Sequence, residues 1–476
     1  MENLNDIKDN MFLFDINEGK KIIKENRIYT EELIKKIDNC ANNIDIEGVA
    51  NLSLQYADYV QYKATGEYCN EDIEKALLIC GKNIDMDKNN FQDVELMLEN
   101  YTTSKRKILH VISEGYKIGG HTKLVKNWIK KDEDSISALI TTWQMNTLPE
   151  ELIEEVKNHG GFVYSLNNFY GTYEKSASLL RKIAYSWSDI VILHCHMQDP
   201  IPILAFAVEG GPPVFILNHA DHRFWIGSSI ADVIVDCREE SKKLSFERRG
   251  ARESFILPVP LSEKGDFDKE KYRDKYGIDR KTKVILTIAE EYKFKSINQY
   301  SYIDILKRII FETNDTIAYI VGPKREGKWE QLCLDTNERV KVIGRTENIE
   351  ELYMISDMYL DSFMFSSFTA LLDAAMYGLQ IIKFKNHVAP LFSDTGEEIE
   401  QCCFNNVDEA INYINNEFNS NKKNVQLEIR KKHCSDIPKK IEELYSKIKN
   451  HTVNENIKIN NNIGNNDLFW ALFLKQ

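Results

Sequence analysis

The sequence predicts an α/β chain in which two doubly wound parallel sheets follow one another behind a helical region. Three observations lead there. From Lys107 onward, short β-branched runs alternate with amphipathic stretches, the pattern of successive βαβ units. That pattern breaks at a polar segment after Pro258 and Pro260 and starts again at Lys283. Ahead of Lys107 the chain is rich in Asn, Lys, Glu and Leu at helical spacing and carries no convincing strand.

Taken in order, residues 1–104 contain "TEELIKKIDNCANNI" and "NEDIEKALLICGKNI" and are expected to form a helical accessory domain. Residues 105–262 carry the runs "KILHVIS", "SISALITT", "GFVYSL", "DIVILHCH", "PVFILNHA", "DVIVDC" and "SFILPVPL", the strands of a first Rossmann-like domain. Residues 263–450 repeat the arrangement with "KVILTIAE", "TIAYIVGP", "VKVIGR", "MYLDSF" and "QIIKF". Residues 451–476 include the Asn-rich "NENIKINNNIGNN" from Asn454, read as a flexible low-complexity loop, and end in "DLFWALFLKQ", an apolar helix about half the length needed to span a bilayer.

Bulk properties exclude several functions. A formal net charge of -13 over 476 residues disfavours nucleic acid or an anionic membrane surface as partner. No apolar run reaches spanning length, and "MENLNDIKDNMFLFDINEGKK" lacks the basic flank and apolar core of a secretory signal, so a cytoplasmic protein is expected. Nine cysteines without paired spacing fit reduced thiols. A zinc site at His194-Cys195-His196 is disfavoured, because strand alternation sends Cys195 to the face opposite the histidines.

In open parallel sheets, ligands lie beyond the carboxyl ends of the strands, so the residues after each strand carry the functional reading. Gly119 and Gly120 follow the first strand and open a helix, where backbone amides can approach a phosphate or sugar; an ordinary strand-to-helix turn would look the same. His219, Asp221 and His222 follow "VFIL", offering imidazoles for proton removal and a carboxylate to orient them, although a strand-end histidine can equally bond backbone. Lys293 and Lys295 follow the first strand of the second half, as ligand-facing cations or as solvated loop lysines. In "MYLDSFMFSSFTALLDAAMYGLQII", Ser367, Phe368 and Thr369 start a helix whose unpaired amides suit a diphosphate. Asp373 lies one turn deeper on the same face as Thr369, in place to accept from a ribose diol. A Ser/Thr cap on a packed helix is the alternative.

This set of motifs resembles the GT-B glycosyltransferases over about Lys107 to Asn450. More narrowly, "LYMISDMYLDSFMFSSFTALLDAAMYGLQII" is similar to the donor-site segment of the O-GlcNAc transferase family and related bacterial protein glycosyltransferases: an "LD", a hydroxyl-rich helix start and then the run matched by "DAAMYG". The resemblance implies two Rossmann-like domains facing a central cleft, a nucleotide-sugar donor, with UDP-GlcNAc the expected one, and Lys293 as the diphosphate-binding lysine. It departs in two places. The family's threonine run survives only as Thr369, and the paired glutamates of many retaining enzymes are replaced by Phe365 and Asp373, so inversion is expected.

The expected reaction is transfer of GlcNAc to Ser/Thr hydroxyls of a bacterial protein such as flagellin or a surface protein. The helical region 1–104, placed where family relatives carry helical repeats, is expected to bind that acceptor; a cover over an apolar face of the first Rossmann-like half is the alternative. Lys293 and the helix amides would offset leaving-group charge, and His222 or His219, with Asp221, would act on the acceptor. No cofactor beyond the donor is expected, and no metal, since no DxD-type pair stands at a matching strand end. Transfer to a polysaccharide or lipid-linked glycan, a GT-B nucleotide-sugar epimerase and a non-catalytic GT-B partner remain alternatives.

Overall fold

A computed structural model of the chain describes residues 16–86, 91–117, 120–166, 171–295, 301–362, 365–385, 389–417 and 425–475. Thirteen strands form within them: β1 Arg106–Ile112, β2 Ser135–Thr141, β3 Val163–Ser165, β4 Ile190–His194, β5 Val214–Leu217, β6 Val233–Asp236, β7 Ser254–Ile256, β8 Lys283–Ile288, β9 Thr316–Val321, β10 Val340–Gly344, β11 Met358–Leu360, β12 Gln380–Phe384 and β13 Cys403–Phe404. They make two sheets, in the orders β3-β2-β1-β4-β5-β6-β7 and β10-β9-β8-β11-β12-β13. Every pairing is parallel, for example Ile108 with Ile190 and Ile285 with Met358. β2, β4, β5 and β6 are buried along their whole length, as strands covered by helices on both faces must be.

The chain divides into two compact units. The first-sheet unit comprises Asp15–Pro260 and Asp436–Leu474; Leu261–Ser435 form the body of the second-sheet unit. The helical region that the sequence sets apart as 1–104 is, over its described residues, part of the first-sheet core. Its helices Ile16–Asn42, Ile46–Tyr62, Glu71–Lys82 and Gln92–Glu99 bury Ile37, Tyr56, Leu77 and Leu98 in one cluster with Leu109, Val111, Val191 and Leu193 of β1 and β4. Asn70 starts the third of these helices by accepting from the amides of Asp72 and Ile73. The buried Glu74 in the same helix accepts from the amides of Gly227 (2.6 Å) and Ser229 (2.9 Å). Arg181, also buried, donates to the carbonyls of Gly81, Leu204 and Ala205.

The chain end departs from its sequence reading in two respects. Helix Ile437–Tyr445, placed by pattern in the second Rossmann-like half, packs on the first-sheet unit. There Trp128 donates to the Tyr445 hydroxyl (3.1 Å), which donates to Asp132 (2.8 Å), and Arg106 grips Glu442 through both terminal nitrogens. The Asn-rich tract is pinned rather than loose. His451 is buried with one ring nitrogen on Asp232 and the other on the Phe206 carbonyl, both at 2.7 Å, Arg248 donates to the Asn460 carbonyl, and the Ile459 amide donates to Glu71. Beyond it Asn465–Lys475 forms the expected apolar helix.

Candidate functional site

Both sheets reverse their strand order at one point, between β1 and β4 and between β8 and β11. The crevice beyond the carboxyl ends of such strands is where open α/β sheets hold ligands. The two points are furnished differently.

In the second-sheet unit β8 leads into a tight turn, Glu291–Phe294, that carries Lys293. Its Nζ donates to the Ser366 carbonyl (2.9 Å) and sits 4.6 Å over the Phe365 ring, which Tyr292 meets edge-on. Lys295 closes the same turn, its backbone N–H on the Tyr292 carbonyl. Asp361 and Ser362 directly follow β11, and Ser366-Ser367 lead into helix Phe368–Met376. Lys293 and the helix start, far apart in sequence, are thus brought together as expected. The Ser367 amide, however, expected to face a phosphate, is donated to Asp361 Oδ1 (3.1 Å), which also accepts from the Ser362 amide (2.9 Å). A buried carboxylate at the strand end takes the first amide of the approaching helix and fixes where that helix begins. The first turn that follows carries Phe368 and an exposed Thr369, at the positive end of the helix. Asp373 follows one turn on, half-buried, in an ion pair with Lys264 (3.6 Å). The helix ends at Gly378, whose φ of +75° lets its own amide and that of Leu379 return to the carbonyls of Ala375 and Ala374.

In the first-sheet unit the corresponding point gathers imidazoles. Gly120 opens helix Gly120–Lys131, while Gly119 lies outside the described residues. The Tyr116 amide donates to Thr122 Oγ1 (2.8 Å), which fixes the start of that helix. His121, next to Gly120, then reaches the His194 carbonyl through Nε2 (2.6 Å), and its ring lies 4.5 Å from His219 and 6.1 Å from His196. Because a carbonyl only accepts, that contact selects the Nε2–H tautomer of His121. His196 stacks on Tyr116, and its amide donates to Ser113 Oγ, itself bound to the buried Asp199. Strand geometry ends at His194, whose ring turns instead to His110 (3.0 Å between nitrogens). Among the described residues no group of three His, Cys, Asp or Glu side chains is disposed to hold a metal.

The electrostatics follow from burial. Desolvation takes His219 down to about 4 and His110 to about 3, with a neighbouring imidazole acting the same way in each case. His121, His194 and His196 are lowered for the same first reason. All are neutral near pH 7, the protonation state a general base requires. Asp199 is pushed up to about 6 by its burial. Beside His196 and His219 opens a small pocket walled by Leu193, Met197, Pro202, Ile216, Trp225 and Ile226.

The structure parts His219 from the Asp221–His222 pair at the β5 end. His219 joins His121 and the pocket. His222 turns away, edge-on to Trp470 of the C-terminal helix, with Tyr68 and Glu67 nearby. Asp221, expected to orient a base or replace it, is held by Arg238 through two hydrogen bonds (2.7 and 2.9 Å) and lies only 3.5 Å from His222. Burial opposes its ionisation, but Arg238 and His222 outweigh that and hold it far below the ordinary carboxylate range, which makes it a poor proton acceptor.

No protein-family model matches the chain, and no curated protein matches it. Solved structures do. Anabaena Alr3699/HepE in complex with UDP and glucose superposes with a TM-score of 0.52 at 15% identity, over 72% of this chain and 100% of that one. A glycosyltransferase from Rickettsia africae ESF-5 gives 0.53 at 15% identity, over 72% and 98%. A Thermobaculum terrenum O-GlcNAc transferase mutant gives 0.50 at 11% identity, over 87% and 81%.

The chain has the GT-B fold. Within its GT-B halves, sequence reading missed Asp361 as the clamp on the helix start, His121 and His196 as neighbours of His219, and Lys264 as the partner of Asp373. His121 had a visible signal, since it directly follows the Gly-Gly pair that marks a helix opening. Lys264 had none, lying in a polar stretch with several other lysines.

Proposed function

We propose that the chain is a nucleotide-sugar-dependent glycosyltransferase that moves GlcNAc from UDP-GlcNAc to Ser/Thr hydroxyls of a bacterial protein, with inversion and without a metal. One observation carries this reading: Lys293 is held at the start of helix Phe368–Met376, with Asp373 one turn further in. An ammonium beside first-turn amides suits a diphosphate, and a carboxylate at that offset suits a ribose diol.

In the reaction the acceptor oxygen attacks C1 of the sugar from the face opposite the diphosphate. The C1–O bond to phosphate breaks through an oxocarbenium-like state, the diphosphate departs with the electron pair, and the acceptor proton passes to a base. Lys293 and the amides of Phe368 and Thr369 offset the charge growing on the leaving group without reorganising. His219 is the base best suited to the acceptor proton: it is neutral, and its Nδ1 faces the Leu217 carbonyl (3.4 Å), which leaves Nε2 the lone pair. The GlcNAc donor and protein acceptor rest on the similarity of "LYMISDMYLDSFMFSSFTALLDAAMYGLQII" to O-GlcNAc transferases, with a fold shared with one of them in support.

The test is incubation of the purified protein with a panel of nucleotide sugars in EDTA, reading melting shifts and products. A shift with UDP-GlcNAc and slow release of UDP and GlcNAc are expected. Epimerised donor would replace this reading with an epimerase, and no shift with any UDP-sugar would overturn it.

A further inference from the structure

We propose that Lys264 is a positioning residue of the nucleotide site: its ammonium orients the Asp373 carboxylate as acceptor for the 2′- and 3′-hydroxyls of a ribose. The proposal rests on the reading of Asp373 given above and adds to it a residue from a part of the chain that no motif marks.

The observations are geometric. Lys264 Nζ lies 3.6 Å from Asp373 Oδ1 and 3.8 Å from Glu350. The Lys264 and Asp373 side chains are 10% and 14% exposed, whereas that of Glu350 is 71% exposed. Water screens the Glu350 contact, so the sheltered pair is the one that matters. The same ammonium sits 4.8 Å over the Tyr377 ring, which stacks on Tyr353 at 5.0 Å and 7°. Tyr353 in turn donates its hydroxyl to the Ala370 carbonyl (3.0 Å), in the first turn of the helix that carries Asp373. Lys264 therefore rests on a floor of two rings tied to that helix, and it stays in register with Asp373.

This arrangement orients rather than competes. At 3.6 Å the ammonium attracts Oδ1 without a hydrogen bond to it, so it holds the carboxylate without taking one of its acceptor directions. A diol gains from a carboxylate that is fixed beforehand, because less ordering cost then falls on binding. Removing the ammonium takes a cation away from a sheltered carboxylate, where charge is least screened.

The experiment is calorimetric titration of the full chain with UDP and with 2′,3′-dideoxy-UDP, for the wild type and for Lys264→Met, Lys264→Arg and Asp373→Asn. The wild type should prefer UDP. Lys264→Met should lose about tenfold of its UDP affinity with none lost for the dideoxy nucleotide, and Lys264→Arg, which keeps the charge, should recover most of it. Equal losses for both nucleotides, an unchanged preference or tighter UDP binding in Lys264→Met would overturn the proposal. A wild type that does not distinguish the nucleotides, or an Asp373→Asn protein that still does, would overturn the ribose reading and the proposal with it.

Discussion

Both sheets reverse their strand order between the same two positions, and both bring polar groups there, but the groups differ in kind. The first-sheet unit supplies imidazoles made neutral by burial, His121, His196 and His219. The second-sheet unit supplies Lys293 and the amides of a helix N-terminus. One arrangement suits uptake of a proton and the other suits growing negative charge. The units also differ in how they are assembled. The body of the second is one continuous stretch, whereas the first draws on residues from before and after it. Common topology thus sets where chemistry can happen, and the residues at the strand ends set which chemistry.

The difference in assembly gives the largest expected effect. Removing residues 1–103 strips Ile37, Tyr56, Leu77 and Leu98 from the core around β1 and β4 and takes away Glu74, the acceptor for the Gly227 and Ser229 amides. The first-sheet unit of the shortened chain should fail to fold, seen as aggregation or loss of hydrogen-exchange protection in β1 to β7. A soluble shortened protein with β1 and β4 protected would show instead that the helices are an appendage.

Next come the groups at the two switch points. Lys293→Ala should reduce turnover by about 10²- to 10³-fold, in the range for removing one donor to a developing anion, with a smaller loss of nucleotide affinity, because that charge grows towards the transition state. Steady-state kinetics beside UDP titration separates the two. His219→Asn should reduce transfer by about 10²-fold, the low end for a lost general base. His222→Asn, at a side chain turned towards Trp470, should leave transfer within about threefold of the wild type, the smaller effect expected of a residue outside the acid-base step. The reverse order would put the base on the other side of the β5 loop.

These assignments show what was legible in sequence. The strands were, because β-branched runs covered on both faces read as unbroken apolar segments; β13, with two residues, was too short to register. The helix start at Ser367 and the lysine after β8 were legible because strand-end position alone marked them. The roles of Asp361, His121 and Lys264 were not, since each depends on a partner supplied by another part of the fold. His219 and His222 looked alike as neighbours in one loop, and only the packing of Trp470 separates them. Helix Ile437–Tyr445 was recognisable as a helix, but an amphipathic face does not say which sheet it covers.

The imidazoles also set a difference in acid sensitivity. His110, His121, His194 and His219 have folded values below the ordinary imidazole value, so the unfolded state binds protons that the folded state does not. Their neutral forms cost nothing above about pH 6.5. Stability of the first-sheet unit should fall as pH drops below that, at up to about 1.4 kcal/mol per pH unit for each histidine, until pH passes the folded values, about 4 for His219 and about 3 for His110. Among the described residues the second-sheet unit holds one histidine, His433. Hydrogen exchange between pH 6.5 and 4.5 should therefore loosen β1 to β7 first. Simultaneous loosening of both sheets would mean that carboxylates common to both units dominate.

The smallest effect tests how the second-sheet unit fixes its helix from the far end. Asp361 clamps the start of Phe368–Met376, and Gly378 closes its end with φ +75°, where an added Cβ would meet the Gln426 side-chain oxygen at 3.3 Å. Gly378→Ala should cost about 1–2 kcal/mol, the usual expense of a left-handed backbone for a residue with a Cβ, because the Gln426 side chain can shift by the few tenths of an ångström required. The loss should appear as an earlier transition in the second-sheet unit alone. UDP affinity should stay within about threefold of the wild type, less than the tenfold that corresponds to 1.4 kcal/mol, since Lys293, Asp361 and the first turn are untouched at the other end. A large loss of UDP binding with little loss of stability would mean that the helix slides as a rigid rod when its end is strained, and that Asp361 does not hold its start.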